Sequence, residues 1–114
     1  MTNKNWYKGY KVIRRKPDGA RVSAMVDILG CGAVTYEQGR LTEPAPGCGP
    51  LCVFESCVAA EQFWEGSSRQ EIWQCEYLPS EHKTIWTPEK SLHLAQLPRG
   101  SALADAVRLL RKIK

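Results

Sequence analysis

Lys16-Pro17-Asp18-Gly19 stands between two runs of alternating side chains, and few arrangements of backbone accommodate that pattern. In the first run Tyr10, Val12 and Arg14 alternate with Lys11, Ile13 and Arg15; in the second, Val22, Ala24 and Val26 recur at every other position. Pro17 presets the first corner of a turn, and Asp-Gly supplies the residues that tolerate the tight reversal. The segment therefore predicts a β-hairpin, which commits this part of the chain to antiparallel pairing.

The rest of the chain extends that sheet. Gly30-Cys31-Gly32 breaks the pattern, Val34 to Tyr36 reads as a short strand, and Gln38-Gly39 as a turn. Thr42 to Gly49 is polar and proline-rich and predicts an irregular connection. Leu51 to Phe54 suits a buried strand that passes directly into a helix over about 56–66. Glu55-Ser56 is its start signal, Val58, Ala59, Gln62 and Phe63 are its stripe, and Gly66-Ser67-Ser68 is its stop, giving about three turns. In "QEIWQCEYLP", Ile72, Gln74, Glu76 and Leu78 face one way and Trp73, Cys75 and Tyr77 the other, a strand with one aromatic face. "KTIWTP", closed by Pro88, and "SLHLAQLPRG", alternating through Leu92, Leu94 and Gln96, read as two further strands. At the C-terminus Leu103, Ala106, Val107, Leu110 and Ile113 form a helical stripe ending in basic residues, as the helix dipole prefers. Alternation through Val107 and Leu109 supports a strand there instead, with Leu110 as the misfit; the helix is the favoured reading. The expected fold is α+β: a twisted, mostly antiparallel sheet of five or six strands with one helix packed on it and a second helix at the C-terminus.

A chain of 114 residues predicts one domain, residues 1–114, large enough to bury a core without metals or disulfides. No apolar run approaches the roughly 18 residues of a membrane span, and no apolar stretch follows Lys4 and Lys8 as in a secretion signal, so a soluble, cytoplasmic protein is expected. Five cysteines in a reducing compartment then read as free, mostly buried thiols. The net charge of +4 is concentrated at the two ends, in Lys8, Lys11, Arg14, Arg15, Lys16 and Arg21 and in Arg108, Arg111, Lys112 and Lys114. Such ends attract a phosphate-bearing ligand or an acidic partner, or serve simply as solvated strand faces.

Few residue patterns specify chemistry. The spacing Cys48-x3-Cys52-x4-Cys57 is not that of a zinc knuckle, and Cys52 and Cys57 fall in a strand and a helix; His82 and His93 flank unrelated strands, so no metal and no cofactor are expected. Cys48, between Gly47 and Gly49, is a candidate nucleophile on a sharp bend, and the same glycines serve equally for close approach to the sheet. Glu71 and Glu76 form a pair of carboxylates, read first as a solvated strand face. No dinucleotide or P-loop fingerprint occurs. Four tryptophans are many for this length, and Trp73 or Trp86 beside Arg14, Arg15 and Arg21 would suit a planar, charged ligand. The modest charge and the lack of an aromatic RNA-binding signature speak against nucleic acid as the partner.

"GYKVIR", "SAMV", "YEQG", "GCGPLCVFES", "AAEQFW", "EIWQCEYLPS" and "LPRGSALADAVRLL" together resemble a group of small proteins carried by phages and bacterial mobile elements. The resemblance covers most of the chain. It implies a non-enzymatic accessory or counter-defence protein in the host cytoplasm, which sequesters a phosphorylated or nucleotide ligand or masks a host defence protein. Arg14, Arg15 and Arg21 would pair with phosphates, Trp73 and Trp86 would offer stacking faces, and self-association is compatible with such a role. "GPLCVFES" followed by Ala59, Ala60 and Phe63 is also similar to minimal ADP-ribosyltransferase-like scaffolds, which implies the alternative: a small NAD-dependent transferase with Glu76 as catalytic acid.

Overall fold

The computed structural model describes residues 5–23, 34–64, 66, 68–87 and 91–114. Among these residues, eight strands and one α-helix follow in order: β1 Tyr7–Arg15, β2 Arg21–Ser23, β3 Leu41–Thr42, β4 Leu51–Phe54, α1 Cys57–Phe63, β5 Gln70–Pro79, β6 Thr84–Trp86, β7 Ser91–His93 and β8 Ser101–Lys112. A 3-10 turn, Leu94–Gln96, precedes β8. No helix among the described residues is long and apolar enough to cross a membrane.

The predicted hairpin is present. Ile13, Arg14 and Arg15 pair with Ser23, Val22 and Arg21, and the Asp18 carboxylate accepts from the Ala20 amide at 2.9 Å while Gly19 takes φ +89°. Ala24, Val26 and Gly30-Cys31-Gly32 lie outside the described residues. β1 also pairs along eight positions with β5, from Tyr7↔Tyr77 to Arg14↔Gln70.

Strand closure replaces the expected open sheet. β5 lies between β1 and β8, β8 continues to β4, and Tyr10 of β1 meets Phe54 of β4, so β1, β5, β8 and β4 form a closed four-stranded barrel. β2 and β3 extend it from β1 and β8, and β6 and β7 form a separate two-stranded sheet. Gly9 permits the closure: a Cβ there would lie 2.7 Å from the Tyr77 ring and 3.0 Å from the Phe54 carbonyl oxygen.

The C-terminal segment is a strand, not a helix, and its register explains the misleading stripe. Gln74 and Cys75 pair with Arg111 and Leu109, skipping Leu110; Leu78 and Pro79 pair with Ala106 and Ala104, skipping Asp105. Each skip is a β-bulge, which shifts the alternation by one residue and tightens the bend of the strand. Apolar positions consequently recur at spacings of two and three, which imitates a helical period.

Ile13, Val53, Trp73, Cys75, Tyr77, Ala104, Val107 and Leu109 draw on all four ring strands and fill the barrel with Tyr36 from the β2–β3 connection. The expected strand at 34–36 is reduced to one bridge, Thr35 to Val22, because Tyr36 turns into this core. On the outer face, Ala59, Ala60 and Phe63 of α1 pack with Val12, Phe54, Ile72 and Leu103, joined by Ile85 and Leu97. Ser56 caps α1, its Oγ accepting from the Ala59 amide at 3.1 Å. The helix has seven residues, shorter than expected; Trp64 is already extended, and its indole donates to the Gln70 carbonyl at 3.3 Å. The strand predicted through Gln96 stops at His93, where a capping box between His93 and Gln96 starts the 3-10 turn. Ser67 and Pro88 lie outside the described residues.

Candidate functional site

Alternation on β1 places Lys11, Ile13 and Arg15 on the interior side, and alternation on β5 does the same for Glu71, Trp73, Cys75 and Tyr77. The polar ends of these columns meet at one mouth of the barrel. Arg15 lies directly across from Arg21 of β2, and the double bulge of β8 returns Lys112 to a position opposite Trp73. Three cations from three strands thus surround one carboxylate on a fourth.

That carboxylate, Glu71, is 2% exposed. Its Oε1 accepts from the Trp73 indole N–H at 2.9 Å and from Arg21 Nε at 3.0 Å. Its Oε2 lies 3.4 Å from Arg15 Nε and 3.5 Å from Lys112 Nζ. The Arg21 guanidinium also stands 5.4 Å from the centre of the Trp73 ring. Burial pushes the Glu71 carboxyl up, but the hydrogen bonds from Trp73 and Arg21 and the charges of Arg21 and Lys112 outweigh it, holding the group below its ordinary value of 4.5. Glu71 is therefore an anchored anion that fixes the direction of three basic side chains.

Deeper in the barrel, Lys11 pairs across from Trp73 and is buried. Its ammonium donates to the Cys52 carbonyl oxygen and stands 5.2 Å from the Tyr36 ring centre. Burial pushes Lys11 down, partly opposed by the Cys52 and Cys75 thiols, and pushes Tyr36 up. The Tyr36 hydroxyl has no hydrogen-bond partner among the described residues. Burial also raises the Cys75 thiol to about 12, an unreactive state.

Of the residues the sequence offered for ligand binding, the structure brings together Arg15, Arg21 and Trp73. Arg14 alternates onto the other face of β1. Trp86 belongs to the two-stranded sheet, where its ring packs on Gly49 and lies 5.1 Å, edge-on, from His82. Trp73 is placed at the mouth but enclosed, 4% exposed, so its indole orients Glu71 and does not offer a stacking face.

The catalytic candidates lie elsewhere. Glu76 is on the outer wall, with Arg108 Nη1 at 2.8 Å and Arg108 itself 5.1 Å from the centre of the Trp6 ring. Cys48 is a partly exposed free thiol on the bend that seats Gly49 under Trp86. His93 Nδ1 accepts from the Ala95 amide, a capping role. No group of three or more metal-ligating side chains occurs among the described residues.

The sequence names Glu71 and Lys112 but does not bring them together at the mouth. Glu71 lies on no solvated face: it continues the Trp73–Cys75–Tyr77 side by parity, and that alternation is its signal in the sequence. Lys112 carried no such signal, because two bulges decide which way it faces. Comparisons with protein-family models, curated proteins and solved structures give no match for this chain.

Proposed function

We propose that the protein is a non-enzymatic binding protein that captures a phosphate-bearing small molecule, such as a nucleotide, at the mouth formed by Arg15, Arg21 and Lys112. The observation that supports this reading is the charge balance there: among the described residues, three cations face one carboxylate, Glu71, which leaves two positive charges in excess. Arginine forks and a lysine ammonium converging on one point match the oxygens of a phosphate, and a pre-oriented site loses little side-chain freedom on binding. The protein acts stoichiometrically, by holding its ligand, as the resemblance to small phage-borne proteins implies for a protein working in a host cell.

Calorimetric titration with ATP and with inorganic phosphate tests this directly. Saturable binding that weakens as salt is raised, with unchanged ligand recovered after heat denaturation, is the expected result. Consumption of NAD at catalytic protein concentration would replace this reading with the transferase alternative. Failure of every phosphate-bearing probe to bind, with tight capture of an acidic protein, would replace it with the masking of a host protein.

A further inference from the structure

We infer that the mouth selects a terminal phosphomonoester, a dianion, over a phosphodiester, a monoanion; the inference rests on the binding reading above and specifies its ligand class. Arg21 Nε makes a direct hydrogen bond to Glu71, but Arg15 Nε and Lys112 Nζ, at 3.4 and 3.5 Å, stand beyond ordinary hydrogen-bond length. Their side chains are 48% and 51% exposed, so both reach solvent. Among the described residues, Glu71 is the one carboxylate that contacts them.

Arg15 and Lys112 approach the same Glu71 oxygen, so one tetrahedral group with three unesterified oxygens can engage both and still reach toward Arg21. A dianion matches the two excess charges left after Glu71 is counted. A diester brings one charge and two free oxygens, leaving a cation unmatched. The buried carboxylate is thus a counterweight: among the described residues it leaves an excess of two positive charges, which a dianion neutralises and a monoanion does not.

Adenosine 5′-monophosphate and adenosine 3′,5′-cyclic monophosphate share base and sugar, and in the second the phosphate is esterified again through the 3′-oxygen to a monoanionic diester, which makes them the probes. At pH 7.5 and low salt, the monophosphate should bind about tenfold more tightly than the cyclic diester, the difference one added charge makes at a partly exposed site. Lys112→Met, at a half-exposed position that threatens no core packing, should weaken the monophosphate and reduce the ratio to about twofold. Equal affinity of the wild-type protein for both nucleotides would overturn the selectivity and leave the proposed function standing. Absence of binding by either, with inorganic phosphate also unbound, would overturn both. A ratio unchanged in Lys112→Met would overturn the placement of the dianion at this mouth.

Discussion

Glu71 illustrates how one buried charge can organise its surroundings. Its folded pKa is depressed, so the stability it contributes is present above its unfolded value and disappears as pH falls through the folded one. Denaturant titrations should show stability declining on acidification below about pH 4.5, and Glu71→Gln should flatten that decline. At neutral pH the same substitution leaves three cations without their anion and should cost about 1–3 kcal/mol, at the low end for buried pairs because the partners reach solvent. Gly49 is a second sensitive residue: a Cβ there would run into the Trp86 ring, so Gly49→Ala should lower stability by about 1–3 kcal/mol in a urea melt. Cys48 next to it is separable, and Cys48→Ala should leave both stability and ligand binding near wild type.

At the scale of elements, α1 is held by its cap and by the small residues of its inner face. Ser56→Ala removes the acceptor for the Ala59 amide and should cost about 1 kcal/mol by thermal unfolding. Elements whose patterns are set locally were legible in the sequence: the Pro17-Asp18-Gly19 hairpin, the Leu51–Phe54 strand, and β5, whose ten residues match the predicted run end to end. Elements whose pattern depends on a partner were not. β8 takes its spacing from bulges opposite Cys75 and Pro79, and nothing within residues 101–112 announces them. Tyr36 abandons a strand because the barrel has an interior to fill, and an interior exists only once the ring has closed. The mouth divides the same way: Arg15 and Arg21 follow from the hairpin, whereas Lys112 depends on the bulged register.

For the whole molecule, β5 has partners on both sides, β1 and β8, along most of its length, while β6 and β7, among the described strands, pair only with each other. Hydrogen exchange should therefore be slowest at the amides of Ile72 to Leu78 and fastest in the β6–β7 ribbon; equal protection of the two would contradict this strand order. The strand order β2-β1-β5-β8 brings the basic groups to one opening, where Glu71 fixes their spacing. The most direct measurement of that arrangement as a binding site is a two-dimensional NMR titration with adenosine 5′-monophosphate, observing the Trp73 indole N–H that donates to Glu71. A saturable shift of that resonance together with the Arg15, Arg21 and Lys112 signals, with the Trp86 indole unmoved, is the result this structure predicts. Shifts centred on Trp86 and Cys48, or none at the mouth at millimolar nucleotide, would contradict it.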